Sequence, residues 1–283
     1  MLAVPKLHHD FGVEVCGVDL STTISDETFK EIETAFFAGQ LMVFRDQRLS
    51  PAQFHSFAKR FGPPEPHVID QFHHPACSDI LVLSNVKKNG SPTGLADAGT
   101  YFHTDYSYLD VPARCTMLYS IVVPKIGGDT LFANQYAAYN DLSASMKMRI
   151  ENLVGLHHYG NRDDVDEASR TVASVLSDKQ KNRLNWVRHR IARAHPVTGR
   201  KALYAVSGSS FGIEGVPDNE AVALLDELKA HATQPKYIYS LKYRVGSLVI
   251  WDNGSLLHSA TLIDPNDART LWRITIKEPG SHA

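Results

Sequence analysis

Arg269-Thr-Leu-Trp-Arg-Ile-Thr-Ile-Lys277 alternates without a break: Arg269, Leu271, Arg273 and Thr275 fall on one parity, Thr270, Trp272, Ile274 and Ile276 on the other. A period of two over eight residues marks a half-buried strand whose apolar face packs on a core. The opposite face carries two arginines that point the same way. Such a pair ordinarily faces solvent; here an apolar strand and a lone histidine precede it, and paired guanidinium groups are suited to planar anions. Working outward, short runs of the same kind recur at Ser247-Leu-Val-Ile-Trp-Asp252, Leu41-Met-Val-Phe44, Ile80-Leu-Val-Leu83, 116–123, 202–206 and 237–242, separated by Gly, Pro, Asn and Asp. Strands this short and numerous predict a sandwich or jelly roll, and the lack of regular strand–helix alternation excludes a doubly wound sheet.

Helices decorate this pattern. Ser25 caps a run with Asp26 and Glu27 in its first turn and Phe29, Ile32 and Phe36 at helical spacing, stopping at Gly39. Ser50-Pro51 with Gln53 is a capping box opening a second helix through Phe54, Phe57, Ala58 and Phe61 to Gly62. Two more are expected at 143–153 and 219–232. The predicted class is mainly β with peripheral helices, one catalytic domain over 1–283. The polar, charge-rich stretch 161–185 is either a lid or a solvated surface helix.

Composition narrows function. The chain has 283 residues with 29 Lys+Arg against 31 Asp+Glu, a balance that argues against nucleic acid or a membrane surface as partner. Cys16, Cys77 and Cys115 lie far apart without a Cys-x-x-Cys, which excludes a cysteine-rich metal site and suits a reducing, cytoplasmic setting. No apolar run approaches a membrane span, and the first residues lack the regions of a signal peptide. Histidine stands out at 14.

Among those, His103 and Asp105 in Tyr101-Phe-His-Thr-Asp105 would share one side of an extended strand, presenting an imidazole and a carboxylate to one point. A chance His-x-Asp is expected in a chain this rich in histidine, and His8-His9-Asp10 is a decoy of similar look. Context separates them: only the first is followed by β framework, the run 116–123 and the loop 125–130.

Beyond this pair the chain resembles the taurine dioxygenase and 2,4-dichlorophenoxyacetate dioxygenase group of Fe(II)/2-oxoglutarate-dependent oxygenases. The resemblance runs through Phe44-Arg-Asp-Gln47, Arg60-Phe-Gly62, His103-Thr-Asp105, Gly127-Gly-Asp-Thr130, His195-Pro-Val-Thr-Gly199, Ile250-Trp-Asp-Asn253 and Arg269-x-x-x-Arg273. It implies a double-stranded β-helix, that is, a jelly roll. It implies that His103, Asp105 and His258 form a metal triad, that Thr130 and Arg269 bind the distal carboxylate of 2-oxoglutarate, and that Arg273 and His67 contact an anionic substrate. Fe(II), 2-oxoglutarate and O₂ follow as cofactor and co-substrates, and hydroxylation rather than halogenation because Asp105 is present. The implied substrate is a small organic anion of the aryloxyalkanoate, sulfonate or alkyl sulfate type, and the implied assembly a homo-oligomer, dimer or tetramer. Gly99 and Ser209 stand where taurine enzymes carry an Asn and an aromatic residue, which points away from taurine. Two other uses of the same triad stay open from sequence, a zinc-dependent hydrolase and a metal-binding jelly roll without turnover. His195 is the rival to His258 for the third ligand, and Tyr101, Phe102, Tyr106, Tyr108, His158 and Tyr159 are candidates for pocket walls.

Overall fold

The structure, a computed structural model, describes residues 2–96, 99–159 and 185–279; the lid expected at 161–185 lies outside the described residues except for Asn185. Seven strands form the larger sheet, in the order Val13–Val15, Leu41–Phe44, Leu248–Asp252, Ala113–Val122, Thr270–Lys277, Cys77–Ser84 and His73–His74. All of these pairings are antiparallel except the outermost, between Val13–Val15 and Leu41–Phe44. A smaller sheet runs Ile238–Leu241, Thr130–Asn134, Leu256–Ala260. The two pack face to face as the expected jelly roll.

Alternation decides which residues enter the space between them. From the larger sheet Leu41, Val43, Leu81, Leu118, Val249, Trp251 and Leu271 join Phe132, Leu241 and Leu256 of the smaller in one buried cluster. The opposite parity, Met42, Phe44, Met117, Leu248, Ile250, Ile274 and Ile276, packs under the helices Asp26–Gly39 and Pro51–Lys59 through Ile32, Phe36, Phe54 and Phe57. Both helices carry the expected caps: Ser25 accepts from the Thr28 N–H and Ser50 forms a capping box with Gln53. The apolar face of the opening strand is thus the helix-covered one, and its arginine face looks into the jelly roll. Arg269 and Arg273 are both buried.

The smaller sheet is covered by Asp218–Ala232 and Gln135–Asn140, with Ala133 and Leu257 in that cluster. Two expectations need correcting. The 101–105 segment is not a strand: it makes a single antiparallel bridge, His103 to His258, and then turns. The 202–206 run keeps only Lys201–Leu203 as strand, and Ala205 takes a left-handed φ of 48°. Among the described residues no helix is long and apolar enough to cross a membrane.

Candidate active site

The bridge that ends the extended part of 101–105 places the first two site residues. His103 N–H donates to the His258 carbonyl and His258 N–H to the His103 carbonyl, both at 2.9 Å, so their rings stand side by side with centroids 4.1 Å apart. His258 is anchored in the strand Leu256–Ala260, and the Trp251 ring lies 4.7 Å from its own. After the bridge the chain turns, and the Asp105 carboxylate swings under both rings. Oδ1 is 3.6 Å from His103 Nε2 and Oδ2 is 3.5 Å from His258 Nε2. These separations exceed hydrogen-bond length, so the three groups converge without bonding one another. Their ligand atoms all lie within 4.8 Å.

Protonation fits a metal. His103 Nδ1 sits 2.8 Å from the Tyr101 carbonyl and donates its proton there, which leaves Nε2 as the nitrogen that faces the site. Burial, helped by the neighbouring His103, holds His258 neutral, well below the usual imidazole range. Burial would raise the Asp105 carboxyl, but Arg273 and the two histidines outweigh it and hold it well below the usual carboxylate range. Two imidazoles and one carboxylate are the donor set of a facial Fe(II) site. Two glycines make room: an added Cβ would lie 2.3 Å from His103 Cε1 at Gly99 and 2.6 Å from His103 Cβ at Gly208.

Arg273 lies beside the triad, its Nη2 2.8 Å from Asp105 Oδ1. That approach is an ion pair out of hydrogen-bond alignment, so buried Nη2 keeps unspent donor capacity. The guanidinium sits 5.4 Å from the Tyr106 ring centre. His67 follows, 5.9 Å from Tyr106 and 6.3 Å from Tyr159, and the Tyr159 ring lies tilted against Tyr108 at 4.5 Å. The Ile69 N–H donates to His67 Nδ1, and burial together with the charge of Arg273 pushes His67 down to about 3, a neutral ring beside a cation. Tyr106 and Tyr108 therefore share the site side although they are two apart in a turn, while Phe102 packs away against the helix-covered cluster. His158 packs against Trp186 instead, leaving Tyr159 as the pocket member of that pair.

Thr130 opens the strand Thr130–Asn134, which the sequence does not announce. Its hydroxyl pairs with the Tyr243 hydroxyl at 3.0 Å. Burial pushes Tyr243 up to about 12, against the hydrogen bond of Thr130 and the charge of Arg269, the two residues expected to take a distal carboxylate. No motif pointed to Tyr243. His195 is accounted for otherwise: it lies 3.1 Å from Asp252 and its Nδ1 accepts from the Val197 and Thr198 N–H groups. Among the described residues two other groupings have ligand spacing, His8–His9–Asp10 near the surface and His55–Cys77–Asp79, where His55 and Asp79 already pair at 2.7 Å.

Residues 3–275 match the family model described as Taurine catabolism dioxygenase TauD, TfdA family. The alpha-ketoglutarate-dependent 2,4-dichlorophenoxyacetate dioxygenase of Cupriavidus pinatubonensis is 33% identical over 95% of this chain and 95% of its own. The (S)-phenoxypropionate/alpha-ketoglutarate-dioxygenase of Sphingobium herbicidovorans is 30% identical, over 96% of this chain and 94% of its own. The crystal structure of AAD-2 in complex with Mn(II) and N-oxalylglycine superposes with a TM-score of 0.82 at 28% identity, covering 99% of this chain and 98% of that one.

Proposed function

Since the chain belongs to the TauD/TfdA family of dioxygenases, we propose that it hydroxylates a C–H bond of a small organic anion with Fe(II), 2-oxoglutarate and O₂. His103, Asp105 and His258 would hold the metal within one catalytic domain. When bound, Fe(II) supplies the O₂ chemistry that converts 2-oxoglutarate to succinate and CO₂ and oxidises the substrate carbon. The chain's own residues supply placement. Arg269 and Thr130, with Tyr243 steadying the Thr130 hydroxyl, fix the distal carboxylate of 2-oxoglutarate. Arg273 holds the substrate's anionic head beside the triad, so the carbon next to that head is the one presented for oxidation. Neutral His67 and the faces of Tyr106, Tyr108 and Tyr159 wall the pocket and keep water from it.

An aryloxyalkanoate is the substrate class that suits these walls best, in line with the activities named for the two relatives above. Hydroxylation of a carbon bearing an ether oxygen gives a hemiacetal, which collapses with cleavage of that bond; alkyl sulfates and sulfonates would break in the same way. Taurine fits poorly, since Gly99 and Ser209 lack the contacting side chains that the resemblance implies for taurine enzymes, and a Cβ at Gly99 would meet the His103 ring. The dispersed, unpaired cysteines support a cytoplasmic setting, and the proposed assembly is a homo-oligomer acting on small molecules rather than on nucleic acid or a membrane.

The observation that carries this reading is the buried Arg273 guanidinium, with donor capacity to spare, 2.8 Å from the triad carboxylate. The test is 2-oxoglutarate decarboxylation against a panel of aryloxyalkanoates, alkyl sulfates and sulfonates. Arg273→Gln should raise the substrate KM at least about tenfold and leave the 2-oxoglutarate KM within about twofold, with Arg269→Gln doing the reverse. Equal effects on both constants would sink the assignment, and turnover without O₂ or 2-oxoglutarate would favour a hydrolase.

A further inference from the structure

Asp105 is held from behind by a buried chain of hydrogen bonds that starts outside the triad. The Thr116 hydroxyl donates to Asp105 Oδ2 at 2.6 Å and accepts from Asn253 Nδ2 at 3.0 Å. Asn253 Oδ1 in turn accepts from the Asp105 backbone N–H at 3.3 Å and from the Trp251 indole N–H at 3.2 Å. Thr116 and Asn253 are 0% and 1% exposed, so bulk water does not compete for these groups. Thr116 is pinned in turn: it stands in register with Trp251 on one neighbouring strand and Thr275 on the other, in the middle of the larger sheet. A β-branched side chain there has little rotamer freedom, so the hydroxyl direction is set by the sheet itself.

We infer that Thr116 and Asn253 are positioning residues that fix the plane of the Asp105 carboxylate, so that it offers the metal a single oxygen. The inference rests on the function proposed above. A hydroxyl bonded to an anionic carboxylate at 2.6 Å is a charge-assisted contact, among the stronger hydrogen bonds a side chain makes. It engages Oδ2, which also stands 3.5 Å from His258 Nε2, and leaves Oδ1, on the side of His103 and Arg273, outside the hydroxyl bond. A carboxylate that swung to chelate through both oxygens would fill one of the three coordination positions that a facial triad leaves for co-substrate and O₂. The Trp251 indole joins the same chain and packs on the His258 ring, so one tryptophan steadies two of the three ligands.

The test compares wild type with Thr116→Val, Thr116→Ser and Thr116→Cys by anaerobic Mn(II) titration. The absorption band formed with Fe(II) and 2-oxoglutarate is the second readout, and melting of the metal-free chain controls for folding. Thr116→Val keeps the shape and removes the hydroxyl; it should weaken Mn(II) binding about 10- to 100-fold and shift or bleach the band, while the metal-free chain melts a few degrees lower but still in one cooperative transition. Thr116→Ser should restore both to within about twofold, and Thr116→Cys, a weaker donor, should fall between. Equal affinity and an identical band in all four chains overturn the inference. Should the valine variant not fold, the serine and cysteine variants decide, and a cysteine variant that binds as tightly as serine overturns it. A wild-type chain that takes up no metal overturns the proposed function with it, whereas a wild type that binds beside indifferent variants overturns this inference alone.

Discussion

Gly99 shows how little freedom the site leaves. Its φ is 70°, and an added Cβ would lie 2.3 Å from His103 Cε1 and 3.0 Å from Nε2. The ring cannot retreat, because its Nδ1 is bonded to the Tyr101 carbonyl and Gly208 backs onto its Cβ. Gly99→Ala should therefore turn His103 and lower Mn(II) affinity about 10- to 100-fold; titration returning the wild-type constant would refute this. Tyr243 makes a milder case. Tyr243→Phe removes one hydroxyl from Thr130, and the 2-oxoglutarate KM should rise about 2- to 10-fold while the substrate KM stays put, as steady-state kinetics would show. The two residues also mark the limit of legibility at this scale. His103, Asp105 and His258 can be read because motif context singles them out from the other histidines. Tyr243 cannot, since it contributes a single hydroxyl by a tertiary contact across 113 positions of sequence. Tyr106 and Tyr108 were readable as aromatic residues near the ligands, but their common direction comes from a turn, and Tyr106 itself takes a φ of 54°.

Elements were legible where one face of the backbone differs from the other. Thr270–Lys277 alternates because helices cover one side and the arginine-lined interior lies on the other; the helix at Ser50 announces itself by its cap. Thr130–Asn134 and Leu256–Ala260 are buried almost throughout, with only Leu131 and Ala260 less than fully covered, and burial on both faces erases the alternation that would reveal them. Asp26–Gly39 ends where the sequence places its stop, but the glycine is not the residue that makes the turn. Gln40, not Gly39, takes the left-handed turn at φ 63°, while Gly39 is small because a Cβ there would meet Val13 Cγ1 at 3.1 Å. The strand Val154–His157 carries a prediction of its own. His157 is buried against His189 and Tyr204, its Nδ1 has no hydrogen-bond partner, and burial pushes it down to about 3. Between that value and about 6.5 the unfolded chain binds a proton that the folded chain refuses. Stability is thus full above about pH 6.5 and falls below it by about 1.4 kcal/mol per pH unit for this one group. Urea denaturation from pH 7 to pH 5 should show a slope shallower by about that amount in His157→Gln, and identical slopes would remove His157 as the cause.

At the scale of the whole molecule, sequence order and spatial order are interleaved. Leu41–Phe44, Leu248–Asp252, Ala113–Val122 and Thr270–Lys277 lie side by side in that order, so no single cut of the chain separates one sheet half from the other. Length alone permitted two domains; pairing of strands from both ends argues for one, and the bridge between His103 and His258 ties the triad into the same unit. The near-neutral net charge of −2 likewise hid the site, because an average over the surface says nothing of two buried arginines, Arg269 and Arg273, the second of them beside the Asp105 carboxylate. Since the proposed ligands come from segments 155 positions apart that meet only in the folded chain, metal binding and folding should be linked. Mn(II) at a hundred times its dissociation constant should add about 2.7 kcal/mol, or roughly 5 °C in Tm for a chain of this size. Calorimetry should show one transition that moves upward as a whole and returns on adding a chelator. Two transitions, of which only one responds to metal, would break the single-domain reading, and a single transition indifferent to Mn(II) would remove the metal from the triad.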